Sequence, residues 1–268
     1  MHNTWNLSIL GVRGSFPTAA PDFMEYGGNT SCISLSGGSP LIFDAGSGLT
    51  RLGIPPGGTG KINILLSHAH LDHVIGLFGF APLYEKGTEV HFYGEAGPEG
   101  SLRQRLAGLF RRPYWPVALA ELPAGLHFHE LVPGERFSLD SGLTVSTLRG
   151  SHPGGSLLYR VDGGGWSVTC GLDCELDDVL FPRLADFARG SSLLIWDANY
   201  APGQKRAGWG HSTWEDGIAL RRAAGVKRVL MTHYDRTYND TFLRAQEQLA
   251  CQADSACQFA REGMVLTL

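Results

Sequence analysis

The feature that most constrains this chain is a run of seven residues in which four side chains can bind a metal ion. The run is Ser67-His68-Ala69-His70-Leu71-Asp72-His73. It follows the apolar segment Ile62–Leu66, which predicts a buried strand, and we expect a helix to begin near Val74. Neutral imidazoles and a carboxylate suit borderline divalent cations such as zinc. Because four such groups exceed what one open tetrahedral ion needs, they indicate half of a two-metal site.

Composition excludes several other classes of protein. Of the 268 residues, 43% are apolar and 18% are charged, which is typical of a chain that builds a core. The net charge of -4 disfavours a broad electrostatic grip on nucleic acid or on an anionic membrane. The longest apolar stretch, Val74–Tyr84, is too short to cross a bilayer. Without a recognisable signal peptide, and with an odd number of cysteines, the chain is predicted to be cytoplasmic with reduced thiols.

Short β-like segments recur along the chain, and helical patterns are fewer. The predicted strands are Trp5–Val12, Ser31–Leu35, Leu41–Asp44, Ile62–Ser67, Glu89–Tyr93, Leu143–Leu148, Leu157–Val161, Trp166–Thr169, Leu193–Trp196, Val229–Thr232 and Met264–Leu268. Helices are predicted around Leu102–Leu109, from a capping box at Ser212–Glu215 to Gly225, and from Asn239 to Ala253. Loops such as Gly53–Gly58 are short, so residues 1–268 are expected to form one layered α/β domain.

Several motifs together resemble one family. The pattern His68-x-His70-x-Asp72-His73, with Gly11–Ser15, Tyr26–Cys32 and Phe43–Gly48, resembles the metallo-β-lactamase superfamily over nearly the full length of the chain. The resemblance is to the phosphodiesterase branch, which holds ribonuclease Z and the phosphonate-pathway cyclic phosphodiesterase. It implies a four-layer αββα sandwich, a single metallo-hydrolase domain, and a site at one edge of the sandwich.

The resemblance also implies the remaining metal ligands. His152 lies between two predicted strands, and Asp173 and His233 each follow one. Alone, each histidine is more typical of a structural hydrogen bond, but their order along the chain fits the family pattern. The implied sets are His68, His70, His152 and Asp173 for one cation, and Asp72, His73, Asp173 and His233 for the other. Zinc is the expected metal, and manganese or iron are alternatives.

A further motif points to an acid catalyst. Trp209-Gly210-His211-Ser212-Thr213 resembles the His-Ser-Thr element of the phosphodiesterase branch, in which the histidine acts on the scissile phosphate. A carboxylate beside such a histidine raises its proton affinity, and the resemblance gives that role to Asp197. The expected catalytic residues are therefore His211, Asp197 and Asp72. The alternatives are a surface histidine beside a helix cap and an aspartate that only forms a turn.

Other residues keep two interpretations. The resemblance places Asp44 near the metal histidines, where it could accept a ring N–H. Cys170 and Cys174 flank Asp173, either as metal-binding thiolates or as small core side chains. The cluster Arg111-Arg112-Pro113-Tyr114-Trp115-Pro116 is either part of a substrate wall or a packed surface loop.

The preferred hypothesis is a metal-dependent phosphodiesterase with a dinuclear site, in which a hydroxide activated by both cations attacks phosphorus. A small linear or cyclic phosphodiester is the expected substrate. Because the chain is acidic and lacks a basic Gly/Pro-rich arm, tRNA is not expected as a partner. No membrane partner is expected, and a second copy of the chain is a candidate partner. One alternative is a lactone, thioester or β-lactam hydrolase, which His211-Ser212-Thr213 disfavours. Another is a non-hydrolytic di-iron redox or sensing protein, which His70 disfavours because such relatives tend to have Glu there.

Overall fold

Alternating and continuous apolar segments build two β-sheets that lie face to face. The structure is a computed structural model and describes residues 4–53 and 60–268. Within these residues the first sheet contains β1 (Asn6–Gly11), β2 (Cys32–Ser36), β3 (Leu41–Phe43), β4 (Lys61–Leu65), β5 (Glu89–Glu95), β6 (Gly125–Leu131) and β14 (Val265–Thr267). The second contains β7 (Arg136–Ser138), β8 (Thr144–Gly150), β9 (Ser156–Asp162), β10 (Ser167–Gly171), β11 (Leu193–Asp197), β12 (Arg228–Thr232) and β13 (Cys257–Phe259).

Each sheet is antiparallel on one side and parallel on the other. The strand orders are β14-β1-β2-β3-β4-β5-β6 and β13-β12-β11-β10-β9-β8-β7. Strands β3 to β6 pair in parallel, as do strands β10 to β13. The carboxyl ends of parallel strands meet at one edge of a sheet, and this is where α/β folds gather their functional loops. The two sheets bring these edges together.

Helices cover the outer face of each sheet. They are α1 (Leu71–Val74), α2 (Leu102–Leu109), α3 (Leu180–Phe187), α4 (Trp214–Ala224) and α5 (Asp240–Ala253). On the first sheet, Ile62 and Ile64 pack outward with Leu106 of α2, while Leu65 belongs to the core that continues between the sheets. Strand β4 is therefore buried on both faces, and the predicted four-layer αββα sandwich is confirmed. No helix in the described part of the chain is long and apolar enough to span a bilayer.

Two predicted helix starts were wrong by one to three residues. Helix α1 begins at Leu71 rather than near Val74, so Asp72 lies in its first turn. The capping box of α4 is formed by Thr213 and Asp216, one residue beyond the predicted Ser212–Glu215. Strands β6, β7 and β13 and helix α3 were not predicted. Residues 54–58 of the predicted Gly53–Gly58 loop lie outside the described residues.

Candidate metal centre

The predicted site residues lie where parallel strands end or in loops beside those ends. The residues from His68 to His73 follow β4, Asp173 follows β10, and His233 follows β12. Asp197 is the last residue of β11, while His152 lies between β8 and β9 and His211 precedes α4. Both sheets therefore contribute side chains to one cluster, and the structure brings together every residue predicted for the site.

The first group of donor atoms belongs to His68, His70, His152 and Asp173, and all four atoms lie within 4.8 Å of one another. His152 Nε2 is 3.1 Å from His70 Nδ1 and 3.5 Å from Asp173 Oδ2. His68 Nε2 is 3.7 Å from the same carboxylate oxygen. This group has the three imidazoles and one carboxylate that a divalent cation such as zinc accepts.

The second group is formed by Asp72, His73 and His233. Asp173 Oδ1 lies 3.1 Å from His73 Nε2 and 3.0 Å from His233 Nε2. Asp72 Oδ2 lies 3.3 Å and 3.4 Å from the same two nitrogens. Asp173 therefore presents one oxygen to each group, which is the arrangement that a carboxylate bridging two cations requires.

Hydrogen bonds on the far side of the rings set which nitrogen faces each group. His73 Nδ1 is 2.8 Å from Asp44 Oδ2, and His68 Nδ1 is 3.0 Å from Ser67 Oγ. His152 Nδ1 is 3.0 Å from the Gly210 carbonyl oxygen. When Nδ1–H donates in this way, Nε2 carries no proton and is free to bind a metal.

Three buried polar atoms of the cluster have no hydrogen-bond partner among the described residues. They are His68 Nε2, Asp173 Oδ1 and His233 Nδ1. Such groups are rare in native proteins unless an ion or a water satisfies them. Burial lowers the pKa of His68, which keeps its imidazole neutral. Burial would raise the pKa of Asp173, but His233 and His73 outweigh it, so that pKa falls well below its usual range. The neutral imidazole and the carboxylate are the forms that bind metals, so the residues fit the implied cations.

Backbone strain concentrates at the same place. Asp44, Asp173 and His233 have φ angles of 56°, 49° and 61°, and Ser15 has 65°. These are the non-glycine residues with positive φ in the described part of the chain, and three of them belong to or directly support the donor groups. The fourth, Ser15, donates its N–H to Asp72 Oδ2 at 2.7 Å. Such conformations persist where the surrounding structure enforces them, and they cluster at functional sites.

His211 lies beside the two groups with its own carboxylate. Its Nδ1 is 2.9 Å from Asp197 Oδ2 and 4.0 Å from Asp173 Oδ2. Burial would lower the pKa of His211, but the Asp197 carboxylate outweighs burial and raises it. These two residues could also hold a cation with Asp173 and His233. However, Asp197 already accepts the N–H groups of Asn199 at 2.9 Å and Cys174 at 3.3 Å, which favours an orienting role.

Side-chain packing bears on two questions that the sequence left open: the role of the two cysteines near Asp173 and the role of the cluster around Trp115. Cys170 and Cys174 are buried in the apolar core, and burial raises the pKa of Cys174 to about 12. A protonated thiol is a poor ligand, so the structure favours core side chains. Trp115 stacks on Phe78 with ring centroids 4.5 Å apart and donates to Tyr84 Oη at 3.1 Å. Trp115 is therefore packed against the protein, whereas Arg111, Arg112 and Tyr114 beside it are exposed.

The sequence did not reveal two supporting residues. Ser15 contributes only a backbone N–H, and a serine in the sequence does not indicate a left-handed backbone conformation. Ser67 donates its hydroxyl to Asp44 Oδ2 at 2.9 Å and its backbone N–H to Asp44 Oδ1 at 2.7 Å. Its position directly before His68 was the available indication, because a hydroxyl there can orient the neighbouring imidazole.

Comparison with known proteins is consistent with this geometry. The family model described as "Beta-lactamase superfamily domain" matches residues 41–234. Curated relatives include Ribonuclease Z from Haloarcula marismortui, which is 29% identical over 97% of this chain and 96% of its own length. The metallo-beta-lactamase fold protein YhfI from Bacillus subtilis aligns with a TM-score of 0.75 and 22% identity over 99% of this chain and all of its own. The short form of human tRNase Z aligns with a TM-score of 0.69 and 21% identity, covering 97% and 98% of the two chains.

These relatives correct one expectation. Charge and the absence of a basic arm argued against tRNA, but proteins named Ribonuclease Z match this chain along most of its length, and a protein named tRNase Z shares its fold. The exclusion of tRNA was wrong because net charge averages over the whole surface and does not report on a local site. The matched family, the donor groups and the relatives agree on one conclusion: the chain belongs to the metallo-β-lactamase superfamily, as a metal-dependent hydrolase of its ribonuclease Z branch.

Proposed function

We propose that this chain is a dinuclear phosphodiesterase in which His211 protonates the departing oxygen. The observation that carries the proposal is the pair formed by His211 and Asp197 beside the bridging position of Asp173. A buried imidazole with a raised pKa is suited to donate a proton, whereas the neutral His68 is suited to bind a metal. Burial would also lower the pKa of the proposed ligands His73 and His233, but Asp173 outweighs it and raises both. Position therefore distinguishes His211 from the ligands, because it belongs to neither proposed ligand set and has Asp197 as its own carboxylate.

The proposed ligands are the two groups described above, with zinc as the first candidate metal. His68, His70, His152 and Asp173 would hold one ion, and Asp72, His73, Asp173 and His233 the other. When bound, two such cations neutralise charge on the phosphoryl oxygens and lower the pKa of water. Asp44 and Ser67 fix the orientation of His73 and His68.

The proton path uses residues of this chain alone. With Nδ1–H donated to Asp197 Oδ2, His211 presents Nε2–H as the second donor of an imidazolium. As the P–O bond breaks, this proton passes to the leaving oxygen, and neutral imidazole remains. Asp197 keeps the ring in position, because its other oxygen accepts the backbone N–H of Asn199.

The substrate proposed is a phosphodiester, and a cavity lies on each side of the site to receive the groups attached directly to phosphorus. His211 opens on a cavity of about 400 Å³, and His68 and His70 line another of about 280 Å³. Cavities of this order suit groups the size of common cofactors and metabolites. The two cavities accommodate the groups next to the phosphorus, whether the substrate is a small linear or cyclic diester or part of a longer chain.

The test is the variant His211→Ala with two substrates. With bis(p-nitrophenyl) phosphate the leaving phenolate departs without a proton, whereas a dinucleotide releases an alkoxide that needs one. General acid catalysis contributes roughly 10²–10⁴-fold, so we expect a loss of that order with the dinucleotide and a much smaller loss with the aryl ester. Elemental analysis should find unchanged metal content.

The matched control is His127→Ala, which removes an exposed imidazole from β6. Equal losses on both substrates, or loss of metal from His211→Ala, would show that His211 is not the acid. Ester, thioester and lactam reporters in parallel test the carbonyl-hydrolase alternative. Preference for those reporters over phosphodiesters would overturn the proposed reaction.

A further inference from the structure

The cavity beyond His211 is lined in part by aromatic side chains and one arginine. It holds about 400 Å³ and is lined by Tyr200, Arg206, Trp209 and Tyr238 together with His211. The rings of Tyr200 and His211 meet edge to face with centroids 5.8 Å apart. Three aromatic side chains and one guanidinium therefore lie around the space next to the proposed acid.

Arg206 and Trp209 form the outer wall of this cavity. The Arg206 guanidinium carbon lies 5.2 Å from the Trp209 ring centroid, and 58% of Trp209 remains exposed. No carboxylate among the residues that the structure describes forms an ion pair with Arg206. A guanidinium that lies over an indole ring and has no anionic partner is suited to bind an anion, because its N–H groups remain free. The exposed indole face can stack on a flat ring.

The loop that carries this pair is tied to the candidate metal centre. Glu175 Oε2 accepts the backbone N–H groups of Gly208 at 2.8 Å and Gly210 at 3.1 Å. Lys205 Nζ donates to the Leu176 carbonyl at 2.8 Å. The Gly210 carbonyl accepts from His152, a proposed ligand. These contacts hold the backbone of the loop beside the metal centre, and the loop presents the exposed side chains of Arg206 and Trp209 there.

Asp235 also lines the cavity, so the cavity has a negatively charged side chain as well as the positively charged Arg206. Asp235 Oδ1 accepts from the backbone N–H and the hydroxyl of Thr237, at 2.8 Å and 2.6 Å. Its carboxylate repels an anion at that end of the cavity, whereas Arg206 attracts one. An anionic ligand is therefore directed toward the Arg206 side.

From these contacts we propose that the cavity binds the leaving group, stacking its aromatic ring on Trp209 and pairing a second anionic group with Arg206. The class of leaving group is one that has both features, as a nucleoside phosphate does. This inference rests on the proposed function in one respect, since His211 identifies the leaving-group side. Arg206 and Trp209 are then residues that determine specificity and take no part in bond breaking.

The test compares three ligands of the metal-loaded enzyme by calorimetry. Adenosine 3′,5′-bisphosphate, adenosine 5′-monophosphate and ribose 5-phosphate share one phosphate and differ by the second phosphate and the ring. We expect the dissociation constant to rise about tenfold at each step, which is typical of one charge-assisted contact and one stacked base. Arg206→Gln should remove the first step only, and Trp209→Leu the second step only.

Matched controls are Arg183→Gln and Tyr114→Leu, which remove an exposed guanidinium and an exposed aromatic ring elsewhere. Both should keep the wild-type ratios. Unchanged ratios in Arg206→Gln and Trp209→Leu would overturn the subsite. Because binding is measured without turnover, this failure is distinguishable from failure of the proposed reaction, which would show as no phosphodiester hydrolysis by fully metallated enzyme.

Discussion

Asp72 shows how much of the site depends on one side chain. One of its oxygens accepts the Ser15 N–H and lies within 3.4 Å of the facing nitrogens of His73 and His233. We predict that Asp72→Asn weakens the second metal and lowers turnover by at least about 100-fold, because the amide removes a charged ligand at nearly constant shape. Metal content per chain and kcat check this.

The control for this variant is Asp178→Asn, an equally conservative change at an exposed position. Full activity with two metals per chain in Asp72→Asn would reject the ligand assignment. Loss of metal in both variants would point to a general effect of negative charge.

For single residues, the sequence identifies candidate metal-binding side chains more readily than the residues that orient those side chains. His68, His70 and Asp72 were found because three metal donors rarely lie so close together in a sequence by chance. Ser15 could not be found, because its role is a backbone N–H aimed by a φ of 65°. Side-chain identity does not encode that angle, which the surrounding strands impose.

Two neighbouring hydroxyl residues at the start of α4, Ser212 and Thr213, have different roles. Thr213 caps the helix by accepting the N–H of Asp216, whereas Ser212 donates to the Cys174 carbonyl at 2.6 Å and accepts from Leu176 at 3.1 Å. We predict that Thr213→Ala costs about 1 kcal/mol of unfolding free energy and leaves metal binding intact. Ser212→Ala should cost about 1–3 kcal/mol and also weaken metal binding, because it frees the segment after Asp173.

Urea unfolding and metal titration of the two variants distinguish these effects, and each variant serves as the control for the other. Equal loss of metal affinity in both would show that α4 as a whole, rather than Ser212, positions Asp173.

The elements missed by sequence patterns share a physical cause. Strands β7 and β13 have only three residues each, so pairing with a neighbour defines them and periodicity cannot. In β6 the alternate positions include His127 and His129, and these polar residues hide the alternation of apolar side chains that predicts a strand. In the fold they stack on neighbouring rings, with His129 and Tyr93 centroids 4.4 Å apart. Helix α3 contains Pro182, which is tolerated because it lies in the first turn.

At the scale of the whole molecule, the chain crosses from one sheet to the other between β13 and β14. A half-buried network holds this crossing. Glu247 of α5 accepts from Arg261 and from Tyr26 Oη, each at 2.7 Å, and Arg261 lies 4.3 Å from the Tyr26 ring centroid. The network therefore joins α5 on the second sheet to the segment that returns to the first.

This network makes a specific contribution to acid stability. Burial would raise the pKa of Glu247, but Arg261 and Tyr26 outweigh it, so the folded pKa is lowered. A lowered folded pKa stabilises above the unfolded value of about 4.3, and that stabilisation is lost as pH falls through the folded pKa. We predict that Glu247→Gln is less stable by about 1–3 kcal/mol at neutral pH, and that the difference narrows below about pH 4.

Urea unfolding of both proteins across this pH range measures the difference, with Glu215→Gln, an exposed position on α4, as the control. A gap between wild type and Glu247→Gln that stays constant down to the acid transition would contradict the assigned role.

The left-handed backbone at Ser15, Asp44, Asp173 and His233 has a consequence for evolution in the laboratory. Glycine adopts these angles without the penalty of roughly 1–3 kcal/mol that a larger residue incurs. A screen that rewarded heat resistance alone would therefore favour glycine at positions that include two proposed metal ligands, Asp173 and His233. Stability and activity make opposite demands on this edge, and only selection that also scores turnover would keep the side chains of Asp44, Asp173 and His233.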